Sequence, residues 1–115
     1  MVNAKLAADS IQVGTKVFTV ARPQKLNKFG NPYVSRSKNE YAVFECVVQD
    51  ITFTERANTN RDWEPAVLLT LAAEELIPGL TRPYYRFLEG VPVEECFHTF
   101  GEAKNAMDKM RGESV

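Results

Sequence analysis

The sequence contains few of the residues from which disulfide scaffolds and metal centres are built. Its 115 residues include two cysteines, one histidine and one tryptophan. Two cysteines allow one bridge, which is too few for the stapled scaffold of a small secreted domain. The first ten residues lack the long apolar core of a secretory signal, and no apolar run approaches the ~20 residues that a bilayer span requires. We therefore expect a cytoplasmic protein without a membrane partner.

The few candidate ligands and nucleophiles do not form a convincing site. Cys96 and His98 would point the same way on a strand, and Cys46 could join them. Three ligands fall short of the four that a structural zinc site requires, and Cys46 fits better as a small core residue. A Cys96–His98 nucleophile pair is also disfavoured, because the neighbouring Glu94 and Glu95 would raise the pKa of the thiol.

Motifs of enzyme chemistry are equally scarce. The sequence has no glycine-rich phosphate loop, nucleophile elbow or HExxH motif. The carboxylate pairs Glu74-Glu75 and Glu94-Glu95 consist of adjacent residues, which face opposite sides of a strand and therefore form no acid/base dyad. We interpret both pairs as solvated surface. The sequence thus predicts a protein without catalytic residues, metal or cofactor.

Charge, by contrast, is concentrated in one segment. Residues 22–38 hold five cationic side chains and no carboxylate, although the formal net charge of the chain is −1. The remainder of the chain therefore carries −6. A nucleic-acid-binding domain is usually basic as a whole, so this distribution indicates a basic patch on a slightly acidic body.

The central part of the sequence predicts antiparallel strands. Under period-two alternation one face of a strand holds Ala42, Phe44, Cys46 and Val48, and the other face holds Val43, Glu45, Val47 and Gln49. The alternation shifts by one residue near 49–50, as a β-bulge would cause. A polar turn follows at residues 56–62.

Residues 66–77 are ambiguous. Alanine, leucine and glutamate favour a helix. The segment "AVLLTL" also fits a fully buried strand, and its place just after a polar turn favours a hairpin. We predict a strand over residues 67–72, and the helical alternative stays open at this stage.

The ends of the chain complete the expected architecture. Residues 1–13 are predicted to form an N-terminal arm or a short helix. Residues 99–111 are predicted to form a helix that begins with a capping box of Thr99 and Glu102. Further short strands are expected around residues 17–20 and 84–88. We therefore predict a single α+β domain over residues 1–115. Its core is a small bent antiparallel β-sheet or an SH3-like barrel of about five strands, with a C-terminal α-helix.

Residues 22–38 are the strongest candidate for a functional site. They are predicted as a long loop, since Pro23, Gly30 and the pair Asn31-Pro32 punctuate them, and long loops in compact domains are usually functional or disordered. The candidate binding residues are Arg22, Lys25, Lys28, Phe29, Tyr33, Arg36 and Lys38.

Three interpretations of this loop remain open. The loop clasps an acidic protein partner with an aromatic anchor, or it binds nucleic acid with cations on phosphates and rings on bases. In the third interpretation it is a solvent-exposed loop without a binding role, and its two rings, Phe29 and Tyr33, fold back onto the sheet. The absence of catalytic groups favours a non-catalytic protein-interaction adaptor or inhibitor of a larger machine, as small proteins of phages and other mobile elements often are. A nucleic-acid-binding small β-barrel is the alternative.

Overall fold

A computed structural model describes residues 11–37, 39–57 and 59–113, and these form an α+β fold. Residues 1–10, most of the segment predicted as an N-terminal arm or a short helix, lie outside the described residues. The elements in chain order are β1 (Lys16–Ala21), β2 (Gln24–Leu26), β3 (Pro32–Val34), β4 (Ala42–Ala57), β5 (Trp63–Glu75), β6 (Tyr84–Pro92), a 3-10 turn (Val93–Glu95), β7 (Cys96–Phe97) and α1 (Phe100–Glu113). None of the helices in the described ranges is long and apolar enough to cross a membrane.

Five strands form one antiparallel sheet in the order β6–β5–β4–β1–β7. The edge strands β6 and β7 are joined by only the 3-10 turn, which advances about 2 Å per residue. The edges of a flat five-stranded sheet would lie about 19 Å apart, since neighbouring strands are spaced by about 4.8 Å. The 3-10 turn is too short to span that distance, so the sheet must curl. The sheet is not closed, however, and an SH3-like barrel is not confirmed.

The predicted bulge in β4 is confirmed. The register between β4 and β5 shifts between Val48 and Asp50, where the alternation in the sequence changes phase. Phe44, Cys46 and Val48 are buried before the shift, and Ile51 packs against the same core after it. The extra residue thus lets one 16-residue strand bend while Ile51 keeps contact with the core that Phe44, Cys46 and Val48 form before the bulge.

The ambiguous segment is a strand. β5 covers the predicted residues 67–72 and pairs with β4 on one side and β6 on the other. Ala72 and Ala73 are both buried although they face opposite sides of the sheet. Pairing on both edges and burial of both faces outweigh the helix propensity of alanine and leucine, which is well below 1 kcal/mol per residue.

The core lies on the inner face of the curled sheet. It is built from the buried residues Ile11, Val17, Phe44, Cys46, Val48, Leu69, Leu71, Ala73 and Val93. Helix α1 packs against β1, β4 and β7 and buries Ala103 and Met107, while Phe100 meets Phe18 edge-to-face at 6.3 Å between ring centroids.

The helix start has one difference from the predicted capping box. The hydroxyl of Thr99 accepts a hydrogen bond from the Glu102 amide at 3.2 Å, as predicted. The Glu102 carboxylate, however, accepts from that same hydroxyl at 3.0 Å rather than from the backbone amide at the cap. The side chain still holds the first turn of α1 closed, and the helix runs to Glu113.

Candidate functional site

The basic segment contains a short hairpin. β2 and β3 pair through Gln24–Val34, Lys25–Tyr33 and Leu26–Pro32. The turn between them is organised by Asn27, whose side-chain oxygen accepts from the amides of Phe29 at 2.9 Å and Asn31 at 3.0 Å. Gly30 adopts a φ of 81°, a conformation that a residue without Cβ reaches at little cost. The predicted loop therefore presents its tip residues on a defined turn.

Two buried charges attach this hairpin to the sheet. Glu75 on β5 is 5% exposed and Arg86 on β6 is 9% exposed. Their side chains form an ion pair with 2.9 Å between Arg86 Nη1 and Glu75 Oε1. The amide of Gln24 donates to the other carboxylate oxygen at 2.6 Å, and Arg86 Nη1 donates to the carbonyl of Arg22 at 2.9 Å.

Each group of this cluster is compensated. The guanidinium of Arg86 also lies over the ring of Phe44, 5.3 Å from its centroid. A buried charge without a partner costs several kcal/mol, so paired charges with these additional bonds hold the chain in one arrangement. The interpretation of Glu74-Glu75 as solvated surface was wrong for Glu75. We name Glu75, Arg86 and the backbone groups of Arg22 and Gln24 the anchor cluster.

Two of the predicted binding cations are engaged within the chain. Arg22 donates to the carbonyl of Ser37 at 2.7 Å and lies 4.9 Å from the ring centroid of Tyr41. Lys25 forms an ion pair with Glu40 at 2.8 Å. This bond raises the pKa of Lys25 and, together with a bond from the Ser35 hydroxyl, lowers the pKa of Glu40. Lys25 and Arg22 thus contribute to the structure of the segment and are poor candidates for phosphate contacts.

The two predicted aromatic residues are exposed. Phe29 is 76% exposed at the hairpin tip, and Tyr33 is 46% exposed on β3. The interpretation in which both rings fold back onto the sheet is therefore wrong. Lys28 Nζ lies 5.2 Å from the ring centroid of Phe29, and Val34 beside Tyr33 is also exposed.

The hairpin thus gathers a part of the predicted site. Phe29, Tyr33, Lys28 and Arg36 are exposed on or directly after it. Neither Lys28 nor Arg36 is in an ion pair within the described part of the chain. Lys38 lies outside the described residues. We call the exposed side chains Lys28, Phe29, Tyr33 and Arg36 the hairpin surface.

The thiols occupy poor positions for nucleophilic chemistry. Burial raises the pKa of Cys46 to about 11 and that of Cys96 to about 12. His98, the third residue of the metal constellation that the sequence suggested, is exposed. Among the described residues, no three histidine, cysteine or acidic side chains gather where they could hold a metal ion.

Other exposed rings lie outside the predicted site. Trp63, the first residue of β5, and Phe53 on β4 fall on the same face of the β4–β5 ribbon by their register. Tyr85 and Phe87 on β6 meet edge-to-face with 5.2 Å between centroids. The period-two spacing of Tyr85 and Phe87 in the sequence indicates that the two rings share one face of β6. Whether that face is exposed depends on the pairing with β5.

The chain was compared with protein-family models, with curated proteins and with solved structures, and no match was found in any of the three.

Proposed function

We propose that this protein is a non-catalytic interaction module that binds a partner protein through the hairpin surface. The observation that carries the proposal is the exposure of Phe29 and Tyr33 on a hairpin that buried charges attach to the sheet. Interface hot spots are enriched in aromatic residues and arginine. An aromatic anchor on a pre-organised support loses less conformational entropy on binding than one on a free loop. The role we propose is that of a cytoplasmic adaptor or inhibitor of a larger machine.

The balance of charges favours a protein partner over nucleic acid. Of the five cations in the sequence segment, Arg22 and Lys25 are engaged within the chain, which leaves Lys28 and Arg36 among the described ones. Two phosphate contacts give a salt dependence of only about tenfold between 50 and 200 mM, against about 500-fold for five contacts. A track of two cations is short for a single-stranded nucleic-acid site, which combines a charged groove with several stacking rings.

We also propose that the sheet is an open relative of the SH3-like barrel. The bulge in β4 and the 3-10 turn between the two edge strands support this proposal. In such a fold the hairpin is an insertion between the first two strands of the sheet, β1 and β4. Insertions of this kind carry function while the sheet supplies a rigid scaffold.

Site-specific photocrosslinking tests the proposed function. Phe29 is replaced with the photoreactive residue benzoylphenylalanine, the protein is irradiated in nuclease-treated lysate of the source cells, and the adducts are identified by mass spectrometry. The matched control carries the same residue in place of Phe53, which is also exposed and aromatic. We expect one discrete protein adduct from position 29 that is absent at position 53.

A second pair of variants supplies the loss-of-binding arm. Phe29→Ser with Tyr33→Ser should abolish recovery of that partner, whereas Phe53→Ser with Trp63→Ser should leave recovery unchanged. Equal adducts from both positions, or recovery that the hairpin variant does not reduce, would refute the hairpin surface as the binding site. An adduct that forms in a parallel lysate without nuclease and is absent from the nuclease-treated lysate would instead point to the nucleic-acid alternative.

A further inference from the structure

The edge strand β6 has one open side. Among the described residues, β6 pairs with β5 alone, along the register from Tyr84–Glu75 to Pro92–Leu68. Every second residue of an antiparallel edge strand presents its backbone N–H and C=O to the open side, where they pair only with water or with an incoming strand. An edge of nine residues is long, and natural proteins usually protect such edges with charges, prolines or bulges.

The protection of this edge is incomplete. A bulge lies toward its C-terminal end, where the register with β5 shifts and Gly90 has a φ of 66°. The N-terminal half has only one charged residue, Arg86, and its side chain is buried against Glu75. Because Arg86 already forms an ion pair with Glu75, the addition of a strand to β6 would not leave its charge unpaired. Tyr85 and Phe87, both exposed, border the open side.

A groove continues the open edge toward β1. It has a volume of about 300 Å³ and lies between Phe87–Pro92 on β6 and Thr19–Ala21 on β1. β1 pairs with β7 only at Phe18 and Thr19, so its last two residues border this gap in the sheet. Two carboxylates, Glu89 and Glu95, line the groove, and no basic residue does.

We propose that β6 binds an extended, basic segment of a partner protein as an added strand. Backbone hydrogen bonds from the open edge supply affinity without regard to sequence, as in other cases of strand addition. Alternate side chains of the added strand meet the ring pair Tyr85–Phe87, and a lysine or arginine near its end pairs with Glu89 and Glu95. This surface is separate from the hairpin surface, so the inference does not depend on the proposed function.

Strand addition is tested with fluorescein-labelled peptides and the full chain, by fluorescence anisotropy. The probe is a peptide of about ten residues in which valine and lysine alternate. One control peptide carries N-methyl groups on alternate residues, which remove its backbone donors along one edge. A second control has glutamate in place of lysine. We expect about tenfold or greater loss of affinity for the N-methylated peptide, because each lost hydrogen bond lowers affinity severalfold.

A charge exchange tests the specificity. The double variant Glu89→Lys with Glu95→Lys should lose about tenfold affinity for the lysine peptide and gain affinity for the glutamate peptide, since each exposed ion pair contributes up to about fivefold. The hairpin variant Phe29→Ser with Tyr33→Ser should bind both peptides as the wild type does. Hydrogen exchange should slow at amides of Tyr84–Pro92 on peptide addition and not in β2 or β3.

Three results would overturn the proposal. They are equal affinity for the N-methylated peptide, the same peptide preference in the charge-exchange variant, and protection that appears outside β6. Analytical ultracentrifugation of the protein alone tests whether a second copy of the chain, rather than a partner segment, pairs with the β6 edge. A concentration-dependent dimer that protects β6 and excludes the lysine peptide would replace the partner segment with a β6–β6 contact.

Discussion

Removal of the Glu75 carboxylate should destabilise the chain far more than removal of an exposed charge. Glu75→Ala leaves the buried guanidinium of Arg86 without its ion pair and the amide of Gln24 without its acceptor. Breaking a buried pair by removing one member costs about 3–5 kcal/mol, because the remaining charge stays out of water. The whole free energy of unfolding of a domain is about 5–15 kcal/mol, so the loss should be visible in any equilibrium measurement.

Urea denaturation followed by far-UV circular dichroism measures this loss. Glu74→Ala is the matched control, since Glu74 is the adjacent carboxylate and is exposed. We expect the control to stay within about 0.5 kcal/mol of the wild type. If Glu75→Ala and Glu74→Ala unfold at the same urea concentration, the reasoning about the anchor cluster is wrong.

A double variant separates the stability of the sheet from the attachment of the hairpin. Glu75→Leu with Arg86→Met replaces the pair with apolar side chains, an exchange that is often neutral or stabilising in other proteins. We therefore expect this variant to be more stable than Glu75→Ala. The amide of Gln24 and the carbonyl of Arg22 lose their partners all the same. Hydrogen exchange should accelerate across residues 22–37 and stay unchanged in β4 and β5.

Two further predictions concern the thiols and the helix start. Because burial raises the pKa of Cys46 to about 11 and of Cys96 to about 12, iodoacetamide should modify neither in the native protein at pH 8, and fast alkylation before unfolding would contradict this. The folded pKa values lie above that of an unfolded cysteine, about 8.5, so the stability contributed by the two protonated thiols is complete below that pH and is lost as the pH rises toward 11–12. Thr99→Ala should lower the free energy of unfolding by about 1 kcal/mol, whereas Thr99→Ser should retain it, because only the serine keeps a hydroxyl for the Glu102 amide.

The parts of the fold that local patterns specify could be predicted from the sequence. The alternation of Phe44, Cys46 and Val48 and its phase shift gave β4 and its bulge, because the side-chain period of a strand is visible in the residues themselves. The start of α1 could also be predicted, because the capping residues Thr99 and Glu102 lie only three positions apart in the sequence. β2 and β3 have three residues each and no such pattern. Their pairing depends on the turn around Asn27 and on contacts with Glu75 and Arg86, which are distant in the sequence.

The anchor cluster shows where local reasoning was insufficient. Adjacent carboxylates face opposite sides of a strand, and this was used to exclude a dyad at Glu74-Glu75. The same rule puts one of the two on the inner face, and alternation from Leu69 through Leu71 and Ala73 identifies it as Glu75. A buried carboxylate then requires a cationic partner. That the partner is Arg86 follows only from the β5–β6 register, which brings Arg86 opposite Ala73.

The buried pair and the exposed rings belong to one physical argument. A hairpin with three-residue strands and an exposed tip has too little apolar contact to be stable alone, since even longer isolated hairpins are marginal in water. A buried ion pair adds little net stability over an apolar equivalent, but it penalises every arrangement in which its charges are unpaired. A displacement of β2 that breaks the Glu75 contact leaves one buried carboxylate oxygen and the Gln24 amide without their hydrogen bond, while the Glu75–Arg86 ion pair stays formed within the sheet. Glu75 and Arg86 therefore fix the start of the hairpin that carries Phe29 and Tyr33, and under the proposed function mutations at either charged residue should weaken partner binding.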